Sequence, residues 1–350
     1  MAMERAQIDR RHSEKAYENS MIRAASYHRR DFDLAVIKTN PSDHEQVRSS
    51  MLRTTGAPSV NLGRLECLPL EIIFEICLLL DLESLFRFRQ VNRRAQQIIS
   101  AVHGYRETIT YALEVLCIVL RTKTAPYFTI YDLFKVLCTR DCLLCGSFGG
   151  FVFLPSLMRC CFSCIKEDCL PAIMSVADAK RLIKWSATRL PKSIPVFKTL
   201  PGIYSMDETS QKRRMQIVTK EHIARISRCL INEEAQPTRQ KKAAVLRYMV
   251  TTALPHLDIT SGDIQSGICC SGCQVALEEA MRTTGIEVSA LGLRDKVYSR
   301  DSFLEHFRQC RKAQELFTLS KKGVDIAKIS ESVRRGGYFN ERGVIMSFGR

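Results

Sequence analysis

The sequence predicts a mainly α-helical protein that also contains small β-hairpin elements beside clustered cysteines. Three observations support this prediction. Apolar residues recur at helical spacing from Leu65 onward, capping residues precede several of these stretches, and two cysteine pairs flank a short β-prone segment. With 350 residues, of which 45% are hydrophobic, the chain has ample material for a core and is long enough for two domains or a few small modules.

Residues 1–63 are the first predicted segment, a largely disordered leader and linker. They are polar and end in the Pro/Ser/Gly/Thr-rich stretch "SSMLRTTGAPSVNLG". The opening "MAMERAQIDRRHSEK" lacks the apolar centre of a secretion signal, and no run of about 18 apolar residues indicates a membrane span. We therefore expect a cytoplasmic or nuclear location, where the 15 cysteines are free thiols or metal ligands.

The next segment, residues 64–105, is predicted to form three short helices. Pro69 suits the first position of the first helix because its missing N–H would be unpaired there. Asp81 and Asn92 can cap the second and third helices. The apolar positions are Leu68, Ile72, Ile76 and Leu79 in the first helix, Leu85, Phe88 and Val91 on the inner side of the second helix, and Ala95, Ile98 and Ile99 in the third helix. Helices this short cannot bury so much apolar surface alone, so they pack on the rest of the chain or keep a face for a partner.

This segment resembles an F-box, whose pattern opens with Leu-Pro, continues with aliphatic residues at helical spacing and ends in a Val-x-(Lys/Arg)-x-Trp-like stretch. Leu68–Pro69 and the Val91–Arg94 stretch match the two ends of that pattern, whereas Ala95 stands where many F-boxes carry Trp, so the third helix matches less well. The resemblance implies a surface that docks the Skp-type adaptor of a cullin ubiquitin ligase. The residues that it assigns to adaptor binding are Leu68, Pro69, Ile72, Ile76, Leu79, Leu85, Phe88 and Val91.

Residues 106–173 are predicted to contain further helices and then a four-cysteine zinc module. Thr129 can begin the helix of "TIYDLFKVLCT". Two Cys-x2-Cys pairs enclose fifteen residues, a spacing typical of zinc sites because each such turn lets two sulfurs reach one ion. The glycine-rich "GSFGG" and β-prone "FVFLP" between the pairs predict a hairpin. The predicted ligands are Cys142, Cys145, Cys161 and Cys164.

Alternatives remain for the cysteines around this module. Cys160 could replace Cys161, although Cys161 reproduces the tighter turn, and Cys138 and Cys169 could be buried thiols that flank the cluster. Four protein ligands would close the coordination shell and leave no position for a hydrolytic water, so the predicted zinc is structural.

Residues 263–317 are predicted to hold a second zinc module. Cys270 and Cys273 precede His306 and Cys310, and the latter two lie at i and i+4 of one helix, so they share a face. Between Cys273 and His306 lie 32 residues, where a DNA-reading finger has about 12, so the intervening chain must form its own helix and strand. Cys269 is an alternative ligand. The alternative interpretation of the whole set is that these Cys and His residues are buried and bind no metal. The sequence thus predicts one or two structural zinc ions.

The combination of these features resembles a group of uncharacterised fungal F-box proteins. The residues that carry the likeness are the F-box-like segment, the Cys-x2-Cys-Gly-x-Phe-Gly-Gly stretch from Cys142, "IPVFKTLPGIYS" at Ile194–Ser205, and "FLEHFRQC". The likeness spans roughly Leu65 to Phe317. It implies a three-helix F-box followed by a helical receptor domain with small zinc-stabilised β-hairpin elements, and it assigns no substrate.

Most of the net charge of +15 lies in residues 174–250, which hold 16 basic and 6 acidic residues. We predict a basic helical or linker segment over residues 174–262 and a C-terminal tail over residues 318–350. Most basic runs are solvated helix faces, but a basic face also attracts nucleic acid, acidic proteins or anionic surfaces.

No P-loop, GxGxxG, GxSxG or HExxH motif appears, and the sequence offers no catalytic constellation. The leading interpretation is a non-catalytic substrate receptor of an SCF-type ubiquitin ligase, which binds a Skp-type adaptor and through it a cullin, and which recruits an unknown protein substrate. The competing interpretation is a zinc-dependent nucleic-acid-binding protein that uses Cys270–Cys310 as an atypical finger and the basic segment as its phosphate-contacting face. Aromatic residues are sparse among the basic ones, which disfavours base stacking.

Overall fold

The structure, a computed structural model, describes residues 2–53, 61–182, 194–227, 244–283, 288–325 and 329–338. The chain divides into two compact units. The terminal unit comprises Met1–Phe32, Cys161–Ser163 and Gln265–Arg350, and the central unit comprises Asp33–Cys160 and Cys164–Ile264. Among the helices of the described residues, none has both the length and the apolar character that a membrane crossing requires.

Helices predominate and strands are short, which confirms the predicted fold class. The α-helices are α1 (Ala2–Ala25), α2 (Arg30–Ala35), α3 (Glu45–Leu52), α4 (Leu70–Leu79), α5 (Leu82–Arg89), α6 (Arg93–Ser100), α7 (Tyr105–Tyr111), α8 (Leu113–Arg121), α9 (Ile130–Cys138), α10 (Phe162–Lys166), α11 (Val176–Leu182), α12 (Lys220–Ser227), α13 (Ser271–Thr283), α14 (Val288–Asp295), α15 (Arg300–Gln309), α16 (Arg311–Leu319) and α17 (Glu331–Arg335). The strands are β1 (Ser26–Tyr27), β2 (Phe151–Phe153), β3 (Met158–Cys160), β4 (Ile173–Ser175), β5 (Phe197–Lys198), β6 (Gly202–Tyr204), β7 (Thr209–Gln211), β8 (Gln216–Thr219), β9 (Thr251–Ala253), β10 (His256–Leu257), β11 (Ile264–Gln265) and β12 (Cys269–Cys270).

Helices α4, α5 and α6 follow one another in the central unit, as the sequence predicts. The Asp81 side chain accepts a hydrogen bond from the Ser84 N–H at 2.9 Å, and the Asn92 side chain accepts one from the Ala95 N–H at 2.9 Å, which confirms both predicted caps. Pro69 directly precedes α4. The buried apolar residues of the three helices are Ile73, Cys77, Leu82, Leu85, Phe86, Ala95, Ile98 and Ile99.

The prediction of a disordered leader over residues 1–63 is wrong for its described part. In the terminal unit, α1 places Ala24 and Ala25 in a hydrophobic core. In the central unit, α3 is fixed by the Arg89 guanidinium, which donates a hydrogen bond to the Met51 carbonyl at 3.1 Å. The part of the apolar stripe of α1 that lies in this core includes the small residues Ala24 and Ala25, so a composition rich in charged residues concealed it.

Helices α7, α8 and α9 extend the helical part of the central unit. Thr129 caps α9 through a reciprocal pair of hydrogen bonds with Asp132, which confirms the predicted helix start. After α9 the chain forms the hairpin β2–β3 that was predicted between the cysteine pairs, with Phe151 opposite Cys160. The sequence did not reveal β9, which pairs antiparallel with β2 and completes the sheet β3–β2–β9.

The prediction of a helical or linker segment over residues 174–262 is wrong for much of its described part. Strands β4, β8 and β5 form a three-stranded sheet in that order, and β6 pairs with β7 in a hairpin. Pro195 and Pro201 are incompatible with a helix through "IPVFKTLPGIYS", and its aromatic and β-branched residues favour strands. Residues 228–243, which carry part of the basic stretch, lie outside the described residues.

The core of the terminal unit forms around aromatic residues of α15 and α16. The ring centroids of Phe307 and Phe317 lie 5.7 Å apart in an edge-to-face arrangement. A buried ion-pair network lies elsewhere in this unit, where the Arg29 guanidinium donates to both carboxylate oxygens of Asp31 at 2.7 Å and to Asp295 at 3.0 Å. This network links the N-terminal segment of the unit to α14.

The predicted C-terminal tail over residues 318–350 is partly helical. It contains the end of α16 and all of α17, and the N–H of Tyr338 donates a hydrogen bond to the Asp31 carboxylate at 3.0 Å. Residues 326–328 and 339–350 lie outside the described residues.

Candidate functional site

Helix α4 carries apolar residues on more than one face, and only one of these faces is covered. Ile73 and Cys77 are buried, whereas an apolar row on the other side is exposed. This row, which we call the α4 face, consists of Leu68 (38% exposed), Ile72 (47%), Ile76 (40%) and Leu79 (80%). Further exposed apolar residues of the same three-helix segment are Leu65, Leu70 and Val91. Contiguous exposed apolar surface of this kind marks a site for another protein.

The residues predicted to bind an adaptor do not all lie on this surface. Pro69 and Val91 are exposed, and Phe88 is half-buried. Leu85 is completely buried, so its assignment as a direct contact is corrected: it supports the helices from beneath. The prediction that Val91 faces inward is also wrong, since it follows the end of α5 and its side chain is 66% exposed.

The four predicted cysteines of the first module come together. We call Cys142, Cys145, Cys161 and Cys164 the first cluster; their sulfur atoms lie within 4.8 Å of one another. The sulfurs of Cys142 and Cys164 are 3.8 Å apart, and Cys145 is the exposed member. The first turn closes through the Gly146 N–H, which donates to the Cys142 carbonyl at 2.9 Å, and Gly146 adopts the positive φ of 72° that a glycine tolerates.

Cysteines beside the first cluster do not join it. Cys160 lies on β3, fully buried, and burial raises the pKa of its thiol well above the usual value. Cys161, not Cys160, belongs to the four-sulfur group, which agrees with the tighter predicted turn. Cys138 is half-buried, with a thiol pKa that burial raises, and Cys169 is exposed.

The second predicted set also assembles, and all of it lies in the terminal unit. We call Cys270, Cys273, His306 and Cys310 the second cluster; their ligand atoms lie within 4.8 Å of one another. The Cys270 and Cys310 sulfurs are 3.7 Å apart, and the Cys273 sulfur is 3.3 Å from His306 Nε2. The Cys273 N–H points at the Cys270 sulfur at 3.4 Å, so β12 and the first turn of α13 form a cysteine turn.

The electrostatics of the second cluster favour a shared negative charge. Hydrogen bonds from the Cys270 thiol and then from the Cys273 thiol hold the pKa of Cys310 well below its usual value. Cys269, the alternative ligand, lies outside the cluster: it alternates with Cys270 along β12, and burial raises its thiol pKa to about 12.

Two residues that support the second cluster were not found from the sequence. The ring of Tyr298 stacks on His306 with centroids 4.7 Å apart and thereby fixes the orientation of the imidazole. Gly272 permits the close approach of α13 to α16, because a methyl group on it would lie 2.3 Å from the Ala313 nitrogen. The glycine inside "CCSGC" was the available signal, but its packing partner is distant in sequence.

Both clusters have the composition of structural metal centres. Thiolate and imidazole groups bind borderline and soft divalent ions, and either group of four could hold one. An ion bound tetrahedrally by all four side chains of a cluster would have no free coordination position for a substrate.

Comparison with protein families finds the F-box domain over residues 65–107. Comparison with curated proteins and with solved structures finds no match. The matched residues begin three positions before Leu68 and include α4, α5 and α6, so they contain the whole α4 face. The exposed apolar row and its three-helix support therefore lie within an F-box domain.

Proposed function

We propose that this protein is a substrate-receptor subunit of an SCF-type cullin–RING ubiquitin ligase. The observation that carries the proposal is the α4 face, an exposed apolar row inside an F-box domain. F-box domains typically bind Skp-type adaptors, and such an adaptor would cover this row and connect the chain to a cullin. Burial of apolar side chains at the centre of an interface supplies most of its binding energy.

The role of the receptor in this proposal is positional and non-catalytic. It would hold a protein substrate close to the ubiquitin carrier, which raises the effective concentration of the two reactants. The substrate would bind to residues outside the F-box domain, in parts of the central or terminal unit.

We further propose that both clusters bind zinc as a structural ion. The first offers four thiolates and the second three thiolates with one imidazole, the ligand sets most typical of structural zinc. Metal binding would then supply folding energy to the parts of the chain that contain the ligands.

Pull-down of a purified Skp-type adaptor tests the adaptor proposal. Ile72→Asp combined with Ile76→Asp places two charges on the α4 face and should weaken binding on the order of 1000-fold, since two anchors at about 2 kcal/mol each are lost. Both side chains are exposed, so the fold should be retained, as circular dichroism would verify.

The control is Leu319→Asp, which places a charge on an exposed leucine of the terminal unit and should bind the adaptor normally. Folded wild-type protein that does not bind the adaptor, or a double variant that binds as well as wild type, would overturn the proposal.

A further inference from the structure

Arg159 is a buried cation without a counter-charge among the described residues. It lies on β3, its side chain is fully buried, and none of its three guanidinium nitrogens has a hydrogen-bond partner. A charge buried in this way is strongly destabilising unless an opposite charge compensates it. Arg29, another buried arginine of the described residues, shows the usual solution, since it is paired with Asp31 and Asp295.

The groups that interact electrostatically with Arg159 include no carboxylate. They are the side chains of Cys160 and Cys138. The ring of His256 is a further neighbour, and its Nδ1 is likewise buried without a partner. An imidazole is neutral or positive, so it does not balance a guanidinium.

Arg159 packs directly against the first cysteine turn. Its carbonyl accepts a hydrogen bond from the Leu143 N–H at 3.1 Å. Its side-chain stem passes over Gly149, where an added methyl group would lie 2.7 Å from Arg159 Cγ and 3.2 Å from the Cys142 nitrogen. Cys160, the residue that follows Arg159, interacts electrostatically with both Cys142 and Cys164 of the first cluster. The unpaired cation therefore lies on the strand that leads into Cys161, and its stem packs beside the turn that carries Cys142.

We propose that Arg159 is the buried counter-charge of a divalent metal centre at the first cluster. Four thiolates around a divalent ion leave a net charge of about −2, which is the missing negative charge. In this arrangement Arg159 is a positioning residue: it binds no metal itself, and it stabilises the charged centre. The second cluster, with three thiolates and one neutral imidazole, would carry about −1. The inference rests on the proposed occupancy of the first cluster by zinc.

The test compares Arg159→Met, Arg159→Lys and Arg140→Met in the full-length protein. Arg159→Met removes the charge and keeps most of the volume, and Arg159→Lys keeps the charge. Arg140→Met is the matched control, because Arg140 is an exposed cation beside the same turn and is paired with Asp141. Metal affinity is measured by competition with a chelator, with cadmium-113 NMR separating the four-thiolate site from the three-thiolate site.

We expect Arg159→Met to weaken metal binding at the first cluster about 10- to 100-fold, the usual effect of losing a group that supports metal ligands. Arg159→Lys should retain most of the affinity, and Arg140→Met all of it. Relative to wild type, the melting temperature of Arg159→Met should change in opposite directions with and without metal. Metal-free Arg159→Met should melt above metal-free wild type because an unpaired buried charge is gone, whereas the metal-loaded variant should melt below metal-loaded wild type.

A merely structural role would lower both melting temperatures, and this outcome would overturn the inference. Unchanged metal affinity in Arg159→Met would overturn it as well. If wild-type protein binds no metal at the first cluster, the zinc proposal fails together with the inference. If wild type binds metal at the first cluster and Arg159→Met binds it with the same affinity, only the inference fails. Adaptor binding is measured separately.

Discussion

The two cysteine clusters bring four ligands together by different routes. In the first cluster, Cys142 and Cys164 are 22 positions apart in sequence, and a single hairpin returns the chain so that their sulfurs lie 3.8 Å apart. In the second, Cys270 and Cys310 are 40 positions apart and reach 3.7 Å only after β12, α13 and α15 have packed together. The first is a local feature of the chain, and the second is a product of tertiary structure.

This difference implies that the two clusters depend on metal to different degrees. The first stands beside the sheet β3–β2–β9, whose strands have only three residues each and are short for a globular protein. The second is surrounded by an aromatic core, and we expect this core to persist without metal. Its members are Tyr298, Phe303, Phe307 and Phe317. Metal should therefore contribute more to the local stability of the first cluster than to that of the second.

Loss of the first cluster should have the largest effect on local structure. Combined Cys142→Ser and Cys164→Ser removes two of four ligands, so one equivalent of zinc should be lost per chain. Loss of a metal centre belongs to the changes that cost more than about 4 kcal/mol. Metal content by mass spectrometry and hydrogen exchange in β2 and β3 measure the two consequences.

Cys160→Ser is the matched control for this variant. Cys160 is buried beside the cluster and is not one of its four ligands, so the same chemical change should leave the zinc content intact. Equal loss of zinc in Cys160→Ser would contradict the assignment of Cys161 as the fourth ligand.

Loss of the second cluster should have a smaller effect. Combined Cys273→Ser and Cys310→Ser should also remove one equivalent of zinc. The loss of stability should be on the order of 2–3 kcal/mol, because the aromatic core remains. Faster hydrogen exchange should be confined to the start of α13 and the end of α15. Cys269→Ser is the control, and it should keep the metal because Cys269 lies outside the ligand set. If the whole terminal unit loses protection in the double variant, the two clusters are equally dependent on metal and the comparison is wrong.

The same contrast explains what the sequence could predict. The ligands of the first cluster follow from spacing alone, and the caps at Asp81, Asn92 and Thr129 follow from residue type and position. These features are determined by a few neighbouring residues. The second set of ligands was identified from the pairing of two short motifs, and its geometry required the full tertiary structure.

Features that depend on distant partners could not be predicted. The stripe of α1 was hidden because Ala24 and Ala25 become core residues only when distant aromatic rings cover them. Strand β9 exists because β2 is available to pair with it, and its own sequence is only three residues long. The burial of Arg159 has no signal in the sequence, because burial of a strand side chain depends on what packs on the sheet.

Gly272→Ala should have the smallest effect of these changes, yet it separates packing from metal binding in the second cluster. A methyl group at Gly272 would lie 2.3 Å from the Ala313 nitrogen, a backbone atom that no side-chain rotation can move away. Helices α13 and α16 must then move apart, at a cost of about 1–3 kcal/mol. Gly292→Ala in α14 is the matched control: no atom lies within 4 Å of the added methyl group, so the gain in helix propensity should stabilise by up to about 1 kcal/mol.

Thermal denaturation of the zinc-loaded variants tests whether Gly272→Ala lowers the melting temperature and Gly292→Ala raises it. Gly272→Ala keeps all four ligands, so its zinc content should stay normal while its melting temperature and its metal affinity fall together. That combination is expected only if the packing of α13 on α16 sets the ligand geometry, as a cluster assembled by tertiary structure requires. A Gly272→Ala protein that melts like wild type would show that the second cluster, like the first, is formed locally.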